Sequence, residues 1–464
     1  MKKYTIYILL ITYTIFSVFS IFYFNGTGDS GDSIYHYLYA KYAPTHPHLF
    51  FNHWAKPVFV LLACPFAQFG FNGIKLFNVI VSIFTIFITF KIIEKLEIKN
   101  AIIGAIIFIC SPLYFILSHS GLTEPLFALF LSIGINAIIN NKYITACLLL
   151  SFLPFIRSEG LIIIGVFGLY LLFKQKAKLI PLLLFGHAVY SIFGYFFHAD
   201  FLWVFNNIPY AMLSSSYGQG NLSHFIIQLY YVIGLPIYIL FWVGVINIIW
   251  KTIKKTSNLE LQILIFIGFS SFFIAHTLFW HFGIFNSMGL KRVLLGVAPL
   301  ISIISLVGFN FITENIFQNK KKYPLIFYGL LVSCILVFPF STNKAAIKWD
   351  RDLTLSVDQL CAIKVAGFIS KNVSKSHRFI YAHIYFSEIL NIDPFDKNIR
   401  LDLTKDFMNL TKPGDIIIWE NWFALVENGI TKEFLDNNKG LINMYNITES
   451  DNGREVLYSV YERK

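Results

Sequence analysis

The stretch Asn25–Pro57, NGTGDSGDSIYHYLYAKYAPTHPHLFFNHWAKP, decides how the chain is read. It holds two aspartates, Asp29 and Asp32, four histidines and a Lys56-Pro57 pair, set between apolar regions. Upstream, Tyr4–Phe24 is an apolar run of about the 20 residues that cross a bilayer. It follows Lys2-Lys3 and lacks a small-residue cleavage site, so it reads as a retained first helix. Downstream, Val58–Gly70 is apolar but short and contains Pro65, the pattern of a segment lying along the membrane surface. A polar, acidic loop at the mouth of a helix bundle is where a lipid-borne and a water-borne substrate would meet.

Composition supports a membrane protein. Of 464 residues 56% are hydrophobic and only 14% charged, against about a quarter charged in soluble proteins. The formal charge of +11 is spread through short loops between apolar runs, where it orients a membrane protein and does not mark a nucleic-acid surface. Five cysteines, four within apolar runs, give neither a disulfide framework nor a metal spacing. Further spans read as 73–94, 101–117, 123–139, 143–156, 160–174, 179–198, 225–249, 260–281, 293–313 and 323–340. With the first, that makes about eleven on a window of roughly 19 residues.

Lysines set the expected orientation. Lys2, Lys3, Lys91, Lys95, Lys99, Lys142, Lys174, Lys251 and Lys320–Lys322 gather on the N-terminal side, while the opposite loops are poorer in cations. By the positive-inside rule the N-terminus is cytoplasmic and the acidic loop, within 25–72, is outside. Residues 1–341 thus form the membrane domain. From 342 to 464 the composition is that of a soluble unit of roughly 120 residues, ordinary domain size, and an odd span count places it outside. There Leu355–Ser370 and Thr431–Asn437 read as helices, and Phe379–Ala382, Asp415–Glu420 and Glu455–Tyr461 as strands, a small α/β layer.

Several groups have the chemistry of a site. Asp29 and Asp32, three apart in GDSGDS, share a face if helical. One would take a proton from an acceptor hydroxyl while the other orients a group or a metal; alternatively, Asp32 caps a helix from Ser33 and Asp29 is solvated. Glu124, in Thr123-Glu124-Pro125, is either a first-turn acid favoured by the helix dipole or a second acid facing the loop. Arg157-Ser158-Glu159-Gly160 is a tight outer turn, a local ion pair or a ligand. Lys291-Arg292 puts two cations on the outer side, against the charge trend, as an anionic head group would require. Lys56 either serves the same phosphate or snorkels. His46, His48 and His53 lack zinc spacing.

In order, these motifs resemble the C-type (GT-C) membrane glycosyltransferases, the group of protein O-mannosyltransferases and bacterial aminoarabinose transferases. The matching features are GDSGDSIYHY, Lys56-Pro57 before a surface helix, Ser111-Pro112, Thr123-Glu124-Pro125-Leu126, Arg157-Ser158-Glu159-Gly160, and Arg292 ahead of Ala298-Pro299. The likeness extends to about residue 340, and Asp32-Ser33 stands where many relatives have two adjacent acids. It implies an α-helical polytopic protein of the plasma (inner) membrane that moves a sugar, with inversion, from a polyprenyl-phosphate carrier to an acceptor hydroxyl on a glycan, lipid or protein. Asp32, Asp29 and Glu124 are the catalytic candidates; Lys56, Arg292, Arg157, His53 and Lys291 are the substrate-binding ones. No cofactor is required, although a divalent cation is compatible with the acids. The competing readings are a lipid-linked-glycan transporter or flippase, which would carry charges near the midplane or an internal repeat, a polysaccharide polymerase or ligase, and a non-catalytic lipid-binding scaffold.

Overall fold

Helices carry most of the chain in the computed structural model, and a small mixed sheet closes its C-terminal part. The residues described are 2–211, 213–215, 217–315, 323–373, 377–451 and 453–464. The Lys320–Lys322 loop lies outside them.

Among the described residues, 6 helices are long and apolar enough to cross a membrane: Tyr4–Tyr23, Phe71–Lys95, Ala177–His198, Leu235–Ile253, Leu261–Phe282 and Lys291–Glu314. A seventh arises if Ala101–Ile109 and Pro112–Ser118, bent by 66° at Ser111-Pro112, count as one. The eleven spans expected from hydropathy therefore do not all become full-length helices. The runs at 123–139, 143–156 and 160–174 form the shorter helices Glu124–Ile139, Tyr143–Phe155 and Gly160–Phe173. The run at 225–249 breaks at Gly234, with φ of 76°, into His224–Ile233 and Leu235–Ile253. A hydropathy window counts apolar residues and does not register such breaks. Pro57–Ala67 is short, as expected, and packs against the Asp32–Tyr42 helix.

The Leu235–Ile253 helix packs closely on Ala298–Asn315, the helix that follows Arg292. Glycines allow the approach. A Cβ on Gly244 would lie 2.0 Å from Ile304 O, and one on Gly308 only 1.9 Å from Leu240 O. Small residues that let backbones touch are the usual means of joining helices in lipid, where apolar side chains gain nothing by leaving the solvent.

The C-terminal sheet comprises β1 (Phe379–Tyr381), β2 (Arg400–Asp402), β3 (Ile416–Glu420), β4 (Leu441–Asp451) and β5 (Arg454–Arg463), in the order β2-β1-β3-β5-β4. β1 runs parallel to β2 and β3, whereas β5 is antiparallel to β3 and β4. The sequence reading locates β1, β3, β5 and the helices Val357–Asn372 and Lys432–Asp436 to within a few residues. It misses β2, only three residues long, and β4, whose polar INMYNITES pairs with β5 through a hairpin at Gly453. Ser356 caps Val357–Asn372 in a reciprocal capping box with Gln359.

Because Gly308 holds the Arg292-bearing helix in place, Gly308→Leu should destabilise the detergent-solubilised protein by about 1–3 kcal/mol, the usual range for overpacking. Gly308→Ala should cost less. Thermal unfolding monitored by tryptophan emission checks this; an unchanged midpoint for Gly308→Leu would show that the helices separate freely.

Candidate functional site at the helix mouths

Glycine packing and side chains bonded to backbone groups fix the acidic loop. Gly28 (φ 75°) packs where a Cβ would meet Ser120, and Gly121 packs against Ser33 O. The Ser33 hydroxyl donates to Thr27 O at 2.6 Å and accepts from Gly121 N at 2.7 Å. Fully buried Asn78 donates to Ser120 O and Leu122 O, at 2.7 and 2.9 Å. The loop before Glu124 and the loop holding Asp29 and Asp32 are thereby locked to each other.

The Asp32–Tyr42 helix begins at Asp32 itself. Asp29, rather than Asp32, satisfies its start: Asp29 Oδ1 accepts from Gly31 N at 2.7 Å. Asp32 as a helix cap, one of the two readings open from sequence, is thus replaced by Asp32 as an ion-pair partner. Arg292 Nη1 donates to Asp29 Oδ2 at 2.6 Å, and Arg292 Nη2 donates to Asp32 Oδ2. Arg292 Nε lies 3.6 Å from Glu124 Oε1. Glu124 is 0% exposed. Its other close cation is Arg157, with Nη1 2.8 Å away, although neither carboxylate oxygen meets a described donor in hydrogen-bond geometry. Arg157 also donates to Thr123 Oγ1 at 3.2 Å and Glu159 Oε1 at 2.9 Å. His276 Nε2 stands 3.8 Å from the same Glu159 oxygen.

Lys56 reaches this cluster from the side, donating to Ser158 Oγ at 3.2 Å. Its φ of 66° is left-handed, a conformation costing on the order of 1–3 kcal/mol for a residue with a side chain. Burial pulls its ammonium down to about 8, while Glu159, Asp32 and Glu124 partly restore it. Glu159 is raised by burial but lowered more by Arg157, His276 and Lys56, and ends near 2.

Of the residues nominated from sequence, Asp29, Asp32, Glu124, Arg157 and Arg292 form one connected network, with Lys56 beside it. His53 is buried next to the network and bonds Val204 O at 3.2 Å. Lys291 turns away, its ammonium 5.8 Å from the centre of the Tyr231 ring. Sequence reading did not nominate His276, which sits within an apolar run, or the groups contributed by the C-terminal part. From there Gln359 donates to Thr27 Oγ1 at 2.9 Å, His383 Nε2 lies 3.2 Å from Ser30 O, and Phe423 packs on Gly31. Glu427 accepts from Tyr217 at 3.1 Å. Burial, then the charges of Asp32 and Asp29, raise the Glu427 carboxyl, against a lowering by Tyr217.

Among the described residues no group of three or more His, Cys, Asp and Glu side chains could hold a metal ion. Asp29 and Asp32 could offer two oxygens, yet the Arg292 guanidinium already occupies the position between them.

This architecture matches known structures over nearly its whole length. ArnT from Cupriavidus metallidurans bound to undecaprenyl phosphate superposes with a TM-score of 0.61 at 9% identity, covering 97% of this chain and 97% of that one. Apo ArnT from the same organism gives 0.60 at 8%, covering 99% and 98%. The chain is therefore a membrane protein with the GT-C fold that its motifs resemble. No family model and no curated protein matches its sequence.

The Arg157–Glu159 pair should impose an acid limit on stability. Glu159 is depressed from 4.5 to about 2 in the fold, so its contribution is complete above about pH 4.5 and is lost as pH falls toward 2. Glu159→Gln should lower stability at pH 7 by up to about 3 kcal/mol, since breaking a buried pair outright costs ~3–5 and Arg157 keeps Glu124. The variant's unfolding midpoint should also depend less on pH below 4.5; an identical acid profile in both proteins would remove Glu159 as the cause.

Proposed function

We propose that the protein is an inverting glycosyltransferase that moves a sugar from a polyprenyl-phosphate carrier to an acceptor hydroxyl. One observation carries the proposal: Asp29 and Asp32 from the first loop and Glu124 from a distant helix start converge on Arg292 at the helix mouths, with Lys56 held in a strained conformation beside them. The ArnT fold, one member of which is seen with undecaprenyl phosphate, supports the choice of carrier.

The division of labour follows from which atoms are free. Asp29 spends Oδ1 on Gly31 N and Oδ2 on Arg292. Asp32 spends only Oδ2 on Arg292, and its side chain is 43% exposed. Asp32 Oδ1 is therefore the better proton acceptor. As the acceptor oxygen bonds to the anomeric carbon, its proton passes to Asp32; the bond from that carbon to the phosphate oxygen breaks on the opposite face, and polyprenyl phosphate leaves with the electron pair. The departing charge needs a preorganised cation. Lys56, bonded to one serine hydroxyl, has donors left for it. Arg292 is already engaged by carboxylates, so its part is to keep the acids aimed while lending residual positive field. That shifts the expected phosphate contact from Arg292 toward Lys56. A metal is not needed for this arrangement.

A transporter or flippase would place charges near the bilayer midplane. Here they gather where the C-terminal sheet meets the helix mouths, which favours chemistry on that side. The proposed setting is the plasma membrane with the N-terminus cytoplasmic and residues 342–464 outside. Protease added to spheroplasts should remove the C-terminal part, and full protection would reverse the orientation.

Asp32→Asn keeps the shape of the loop but removes the base. It should express normally, retain the lipid donor, and transfer sugar about 10²–10⁴-fold more slowly, the usual contribution of a general base. Asp29→Asn should be milder. Single-turnover assays with a polyprenyl-phosphate sugar decide: failure of Asp29→Asn alone reassigns the base, and normal rates in both abolish the proposal.

A further inference from the structure

A cavity of about 240 Å³, lined by none of the charged residues of the Arg292 network, lies where the end of the first helix, the start of the acidic loop, the start of Phe71–Lys95 and the C-terminal part meet. Lys75 lines it. That lysine is only 2% exposed. Its ammonium donates to Phe24 O at 3.0 Å, and no described carboxylate lies within ion-pair distance. Glu388, which also lines the cavity, is already paired with Lys41 at 3.3 Å.

A buried cation without an anion is expensive, several kcal/mol even after relaxation. Snorkelling does not account for Lys75, since its tip stays inside the protein. Of the ammonium's three donors one is spent on Phe24 O, and its other contact is the Phe71 ring, 5.7 Å to the centre and itself lining the cavity, so hydrogen-bonding capacity remains for an anion. Asn25 and Asn72 line the same space. We infer that this cavity is a docking site for a phosphate group, held by Lys75.

The surroundings favour a phosphate carried by a lipid. Phe22 and Tyr23 line the cavity yet are exposed, at the end of a helix whose outward residues Ile8, Ile11, Ile15, Phe19 and Phe22 recur every three or four positions. An acyl chain along that stripe would deliver its head group to Lys75. The volume suits a head group and is below the usual range of about 300–1,000 Å³ for drug-sized ligands.

Native mass spectrometry of the full-length protein in detergent tests the site, with phosphatidylglycerol and phosphatidylcholine as probes and inorganic phosphate titrated separately by calorimetry. Wild type should retain phosphatidylglycerol at least tenfold better than phosphatidylcholine. Lys75→Met should erase that preference, and Lys75→Arg should keep part of it. Without lipid, Lys75→Met should melt at the same temperature as wild type or higher, because an uncompensated buried charge is gone. If inorganic phosphate binds in a Lys75-dependent way and lipid does not, the site takes free phosphate. No preference and no phosphate binding in wild type overturns the inference, as does a melting loss of several degrees in Lys75→Met, which would make Lys75 a strut for Phe24.

Discussion

The contact between Arg292 and three carboxylates is the constraint on which the site rests. Asp29 and Asp32 come from the first loop, Glu124 from a helix start far along the chain, and Arg292 from near the end of the membrane part. Without a central cation, three carboxylates this close would repel one another. A guanidinium can serve all three because its donors fan out in one rigid plane. Four carboxylates, counting Glu159, face Arg292, Arg157 and Lys56, so the cluster is close to balanced. Near-balance leaves the cations only partly free, and Lys56, with one hydrogen bond to Ser158, is the least engaged of the three.

The C-terminal sheet is part of that constraint rather than an appendage. Gly26 N donates to Leu353 O at 2.8 Å, Gln359 bonds Thr27, His383 faces Ser30, and Phe423 presses on Gly31. These contacts follow the acidic loop residue by residue. Glu420 organises the turn behind them, accepting from Trp422 and Ala424 backbone N–H groups at 2.6 Å each. A loop with Gly26, Gly28 and Gly31 would otherwise sample many conformations, and the sheet together with the Ser120–Gly121 loop removes that freedom.

Glycines also set the membrane core. Gly244 and Gly308 bring two helices into backbone contact, and Gly234 breaks a long apolar run in two. Both effects are local in sequence but act by aiming the Arg292-bearing helix, so a change of volume there reaches the site through rigid elements rather than through polar contacts.

The amino-acid sequence by itself determined the membrane class, the position of the acidic loop, the short helix after Lys56-Pro57, and the residues that became the network. Charged groups in a chain that is largely apolar stand out because lipid tolerates few of them. It also marked three of the five strands through their apolar runs. Only the tertiary structure decided which of those charges meet. Asp32 and Arg292 are 260 residues apart, and Lys291, next to the one that enters, points elsewhere. His276 and Glu427 had no local signal, since one is embedded in an apolar helix and the other in an ordinary soluble turn. The number of full-length helices was likewise settled by packing, because prolines and Gly234 break runs that hydropathy counts as continuous. Composition is a property of neighbours along the chain, whereas convergence of charge depends on how the helices pack.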